Sequence, residues 1–156
     1  MIIPPAPDPD TTLVLRRTFT ATRPRVFRAW ITQQALEYWF KPRGMRMTVR
    51  ALDVREGGSF HFEIENGSTI VGTYLHIVPP EKLVFTWSWE SIQGRKTSEN
   101  KETVVTLEFL ERGQTTEIVL THQYLVVPEQ RVLLEGGWPS LLNLLALSLP
   151  EPPLDL

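Results

Sequence analysis

The stretch VPPEKLVFTWSW, residues 78–89, decides the fold of this chain. A Pro-Pro turn leads into a predicted strand that carries, at alternate positions, Leu83, Phe85, Trp87 and Trp89. Successive side chains on a strand point to opposite faces, so these four apolar groups share one face. Each aromatic side chain buries about 150–250 Å², and three together exceed what a surface usually exposes. This face is therefore expected to contact a core or a binding cavity.

Short strands dominate the rest of the chain. Alternating apolar residues predict a first strand at 12–20, and start signals at Thr22, Pro24 and Thr32 predict two short helices after it. Period-two patterns predict further strands at 45–55, 59–65, 69–77, 102–111 and 115–123. The dipeptide Asn66-Gly67 predicts a type I′ hairpin turn.

The last predicted element is an amphipathic helix that begins at Pro128. One apolar stripe, with spacings of three and four, comprises Leu134, Trp138, Leu141, Leu145 and Leu149. Gly136, Gly137 and Pro139 interrupt the pattern and predict a kink near Trp138. Because hairpin-connected strands form an antiparallel sheet, the helix is expected to cover the apolar face of that sheet.

Composition limits the class of protein. The length of 156 residues predicts one domain, at 11–149, between Pro-rich and disordered tails at 1–10 and 150–156. The net charge of −2 gives no reason to expect a nucleic-acid partner. The sequence shows neither a secretory signal nor an apolar run of the roughly 20 residues that span a bilayer. The absence of cysteine fits a cytoplasmic protein.

No catalytic motif is recognisable, so no catalytic residue, metal ligand or cofactor is assigned, and the question of an enzyme stays open. One polar residue stands out among the apolar ones. His122 shares strand parity with Ile118 and Leu120 and is expected to point into the interior. There it could orient a ligand, act as a general base, or serve as a hydrogen-bonded structural residue.

Five motifs, in order along the chain, resemble those of the activator-of-heat-shock-protein-90-ATPase homologue family, within the START-related, Bet v 1-like (SRPBCC) superfamily. They are RVFRAW at 25–30, WFKP at 39–42, DVREGG at 53–58, the Pro-Pro and Trp-Ser-Trp strand at 79–89, and the Gly-Trp helix segment at 137–145. The match is colinear over residues 12–148.

The resemblance implies an α+β helix-grip fold. In this fold a curved antiparallel sheet of about six to seven strands wraps around a long C-terminal helix, and two short helices follow the first strand. It also implies a cavity between sheet and helix that binds a small apolar or aromatic molecule. The candidate cavity residues, whose alternative role is to fill a core, are Trp39, Phe40, Phe60, Phe62, Tyr74, Phe85, Trp87, Trp89, His122, Trp138, Leu141 and Leu145.

Two alternatives follow from the same resemblance. One is a co-chaperone-like module that regulates the ATPase of heat shock protein 90 in the stress response. The other is a cyclase, dehydratase or hydrolase on the same fold, because a fold alone does not fix a function. The sequence is compatible with a monomer or a homodimer. The polar loop at 92–101 could act as a lid over the cavity or be a solvated hairpin end.

Overall fold

The structure is a computed structural model that describes residues 8–97 and 102–149. In chain order its elements are β1 (Leu13–Phe19), α1 (Arg23–Arg28), α2 (Gln33–Trp39), β2 (Met47–Leu52), β3 (Ser59–Ile64), β4 (Thr69–Val78), β5 (Lys82–Ile92), β6 (Arg95–Lys96), β7 (Thr103–Arg112), β8 (Thr115–Gln123) and α3 (Pro128–Ser148). The predicted tails, apart from residues 8–10, lie outside the described residues.

All the described strands belong to one curved antiparallel sheet. Its order is β1-β8-β7-β5-β4-β3-β2, and β6 pairs with β5 beside this path. The α+β helix-grip fold is thereby confirmed, with eight strands instead of six or seven. The additional strand, β6, has two residues and lies within the segment predicted as a polar loop. Register shifts in β2 and β4 mark irregularities that bend strands locally.

Helix α3 is continuous through Pro139 and packs one face against the sheet. The buried members of that face are Leu134, Trp138, Leu142 and Leu145. Leu142 thus takes the buried position that the predicted stripe gave to Leu141, which is only partly buried. On the sheet side, Leu83, Phe85 and Trp87 are buried as their shared parity predicts, whereas Trp89 is partly buried.

The turn between β3 and β4 differs from the predicted type. A type I′ turn needs positive φ at both central residues, but of Asn66 and Gly67 only Gly67 has a positive φ, +90°. Three residues, 65–67, instead separate Ile64 from Ser68, and Ile64 N donates to Ser68 O at 2.8 Å across them. The Asn66 side chain accepts a hydrogen bond from Ser68 N at 2.9 Å and stabilises the turn.

The short helices begin where predicted, but without side-chain caps. Thr22 and Thr32 occupy the N-cap positions, and neither side chain caps its helix. The Thr32 hydroxyl donates instead to Arg28 O at 2.6 Å and joins the two helices.

Residues 8–10, assigned by sequence to the N-terminal tail, lie against α3. Arg131 Nη1 donates to Pro9 O at 3.0 Å and to Asp10 O at 2.6 Å.

Within the described residues, no helix is both long enough and apolar enough to cross a membrane.

Candidate functional site

A cavity of about 710 Å³ lies between α3 and strands β3 to β5. Its apolar walls include Phe40, Ile64, Ile70, Trp87, Trp89, Leu134 and Leu141. The segment that follows α2 contributes Lys41, Pro42 and Arg43. Its other polar side chains are Asn66, Ser68, Gln93, Ser140 and Asn143. The site therefore combines a large apolar surface with a few polar groups, which is typical of small-molecule sites.

Very small residues of α3 border this space. Gly136, Gly137 and Ser140 all line the cavity. A Cβ atom added to either glycine would meet no atom within 4 Å. Glycine inside a helix costs about 1 kcal/mol relative to alanine, so the pair lowers helix stability while leaving room beside the sheet. The sequence signal was present, but it predicted a kink and not a cavity wall.

Two hairpin turns form one side of the cavity and are joined by hydrogen bonds. Gly94 N donates to Gly67 O at 3.0 Å, and Gln93 N donates to Ser68 Oγ at 3.0 Å. A Cβ atom on Gly67 would lie 2.6 Å from Gly94 N. Glycine is thus required at residue 67 by both its φ and this contact. The turns hold Asn66 and Gln93 in place beside the cavity.

Eight of the twelve predicted site residues line one of two spaces, and Phe40 and Trp87 line both. Phe40, Trp87, Trp89 and Leu141 line the large cavity. A void of only about 20 Å³ is lined by Trp30, Leu36 and six predicted site residues: Phe40, Phe60, Phe62, Tyr74, Phe85 and Trp87. A void of this size holds about one water molecule. These rings pack on one another, with centroids of Phe60 and Phe62 4.8 Å apart and of Phe60 and Phe85 5.6 Å apart.

Trp39 and Leu145 are buried and line neither space. The indole N–H of Trp39 donates to Ala29 O at 2.9 Å, and its ring packs edge-on against Trp30 at 4.7 Å between centroids. This contact joins α2 to the end of α1. Both residues stabilise the core beside the cavity.

His122 and Trp138 are fully buried and hydrogen-bonded to each other. Trp138 Nε1 donates to His122 Nδ1 at 3.0 Å, so the neutral imidazole carries its proton on Nε2. That Nε2 lies 2.7 Å from Thr103 Oγ1, which donates to Trp87 O at 2.9 Å. Burial lowers the pKa of His122 to about 3. The ring is therefore neutral at physiological pH, and both of its nitrogens bind protein groups.

Charge around the cavity has one sign. Its charged lining residues, Lys41 and Arg43, are both cationic. Trp87 Nε1 and Trp89 Nε1 have no hydrogen-bond partner among the described residues. Over the same residues, no group of three or more His, Asp or Glu side chains could hold a metal ion. The lining residues offer hydrophobic contact, hydrogen bonds and two positive charges to a bound molecule.

Comparisons with known proteins agree with this architecture. The sequence profile of the family described as "Activator of Hsp90 ATPase homolog 1-like protein" matches residues 20–149. A Chromobacterium violaceum protein has a TM-score of 0.76 at 25% identity, over 91% of this chain and 99% of that one. A Staphylococcus epidermidis protein has 0.75 at 25% identity, over 89% of each chain. An Arthrobacter aurescens protein shows the same fold, with 0.80 at 18% identity over 91% and 87%. No curated protein matches the chain.

Proposed function

This chain belongs to the activator of Hsp90 ATPase homolog 1-like family, and we propose that it binds a small hydrophobic or aromatic molecule between α3 and the sheet. The observation that supports this function is the cavity of about 710 Å³. Ligand sites commonly have volumes of about 300–1,000 Å³. The cysteine-free composition supports a cytoplasmic setting for this binding.

Binding would derive its free energy from removing apolar surface from water. Trp87, Trp89 and Leu141 supply apolar walls, and each Å² of buried apolar surface contributes about 25 cal/mol. Polar side chains beside the cavity, such as Asn66 and Gln93, would orient the ligand. The aromatic cluster around Phe60 is tightly packed and has almost no free space. We therefore assign the ligand to the larger cavity at the end of β5, beside Trp89.

The experiment uses N-phenyl-1-naphthylamine, a neutral aromatic probe whose fluorescence rises in apolar surroundings. Gly137→Phe is expected to occupy the cavity, since nothing lies within 4 Å of the added Cβ atom. Gly137→Ala is the matched control, because it leaves most of the space open. We expect the wild type and Gly137→Ala to bind the probe and Gly137→Phe to lose binding while it still unfolds cooperatively.

Native mass spectrometry of gently purified protein complements this titration, because a retained molecule would reveal the chemical class of the ligand. Absence of probe binding to the wild type would overturn the proposal. Equal binding by Gly137→Phe would also overturn it, because the probe would then occupy another place.

A second candidate is regulation of a chaperone ATPase, which the description of the family favours. Addition of the purified chain to Hsp90, with ATP hydrolysis as readout, tests it. Stimulation together with a detectable complex would support this candidate, and absence of both would reject it. The enzymatic alternative loses its candidate base, because both nitrogens of His122 bind protein groups.

A further inference from the structure

We propose that the ligand is an amphipathic anion, with an apolar aromatic body and one acidic oxygen group that lies near Lys41 and Arg43. This inference rests on the proposed function and names the chemical class of the ligand. Two features of the cavity carry it: the sign of its charges and the absence of partners for those charges.

The sign of the charges is the first feature. Lys41 and Arg43 follow α2 and line the cavity, and no carboxylate is among the described lining residues. Acidic residues are not scarce, since the chain has 18 of them against 16 Lys and Arg. A cleft lined by one sign of charge, with walls of low dielectric constant, concentrates its potential on the space inside. This potential favours an anion over a neutral molecule of equal shape.

The second feature is that these cations are not neutralised. Neither Lys41 nor Arg43 lies within ion-pair distance of a carboxylate among the described residues. Some other arginines in the same residues do pair with Asp or Glu, as Arg55 does with Asp53 at 2.8 Å. Lys41 is half-buried, so its charge is screened less than that of a fully exposed side chain. An acidic ligand would supply the missing counter-charge.

The cavity wall also suits the aromatic body of such a ligand. Trp87 and Trp89 line the cavity. Their rings supply aromatic surface that the body of the ligand would cover.

The test compares two probes with one aromatic skeleton. 8-Anilinonaphthalene-1-sulfonate is N-phenyl-1-naphthylamine with an added sulfonate, so the pair isolates the effect of the acidic group. The double variant Lys41→Gln/Arg43→Gln removes the two cations of the cavity. The control Lys82→Gln/Lys96→Gln removes two exposed cations that do not line it.

We expect the double variant to weaken the anionic probe roughly tenfold and to change the neutral probe by less than about twofold. The control variant is expected to leave both affinities within about twofold of the wild type. Added salt should weaken only the anionic probe, since it screens the cations.

The outcomes separate the two proposals. If the neutral probe binds but the double variant weakens both probes equally or neither, the anion inference is wrong and the proposed function stands. If the neutral probe does not bind the wild type, the proposed function fails, and the anion inference that rests on it fails as well. A loss confined to the anionic probe supports both.

Discussion

Trp138 on α3 donates its indole hydrogen to Nδ1 of His122 on β8, at 3.0 Å, and thereby joins the C-terminal helix to the sheet inside the core. The other ring nitrogen continues the network through Thr103 to the backbone of Trp87. A histidine held in this way is a structural element, because each of its polar atoms already has a partner.

The neutral state of His122 makes stability depend on pH. Burial lowers its pKa to about 3 in the folded protein, from an ordinary value of 6.5. Between these values the unfolded chain binds the additional proton, so the free energy of unfolding falls as pH falls through this window. The contribution has a slope of up to about 1.4 kcal/mol per pH unit. It is fully present above pH 6.5 and lost progressively towards pH 3.

Urea denaturation between pH 7 and pH 5 measures this slope. His122→Asn should be less stable at pH 7 but show a shallower slope, because its side chain does not titrate. His76→Asn, which removes a histidine at an exposed position, is the control. Identical slopes for His122→Asn and the wild type would contradict a neutral His122.

The hydroxyl of Thr103 links His122 to β5, and its removal should be costly. Thr103→Val keeps the shape of the side chain but leaves His122 Nε2 and Trp87 O without this partner. A buried unsatisfied polar group costs about 1–3 kcal/mol. Thr106→Val on the same strand, where the side chain is only partly buried, is the control and should change the free energy of unfolding by less than about 0.5 kcal/mol. Equal effects in urea titrations would argue against the network.

Neighbouring leucines of α3 should have different roles. Leu142 is buried in the core, whereas Leu141 is partly buried and lines the cavity. Leu142→Ala should cost about 2–5 kcal/mol in the free energy of unfolding. Leu141→Ala should cost less and should weaken binding of the neutral probe. Thermal denaturation and probe titration on both variants test this reversal, and a larger loss of stability for Leu141→Ala would contradict the assigned roles.

The contact between the two hairpin turns predicts a specific effect at Gly67. Gly67→Ala should lower the free energy of unfolding for two reasons. Alanine pays about 1–2 kcal/mol for a left-handed backbone conformation, and its Cβ atom would lie only 2.6 Å from Gly94 N. Gly57→Ala is matched in φ, at +86°, but its Cβ atom would meet nothing within 4 Å. The difference between the two variants in chemical denaturation measures the contact alone. No difference would mean that the turns separate without cost.

The sheet and its covering helix could be predicted because their signals are local. Alternation at Leu83, Phe85 and Trp87 identifies the face of β5 that joins the apolar core, and the spacing from Leu134 to Leu145 identifies the buried side of α3. The choice between Leu141 and Leu142 could not be made in this way. Adjacent leucines both fit a helical stripe, and the angle at which α3 crosses the sheet decides which of them is buried.

The position of the cavity was also beyond the sequence. The sequence shows where the aromatic residues are, but it does not show which of them pack against each other and which line a cavity. Phe60 and Phe85 pack together, whereas Trp89 faces room that Gly136 and Gly137 leave open. The cavity borders two glycines of α3, which have no side chain. A search for patterns of apolar residues passes over such positions.

The glycine pair of α3 has a consequence for how binding could diverge among related chains. The cavity wall at Gly136 and Gly137 takes no part in the aromatic cluster or in the His122 network. Under the proposed function, larger residues at these two positions would reduce the accepted ligand size in steps, without rearrangement of the core. Changes in specificity would then leave the stability of the fold largely unaffected.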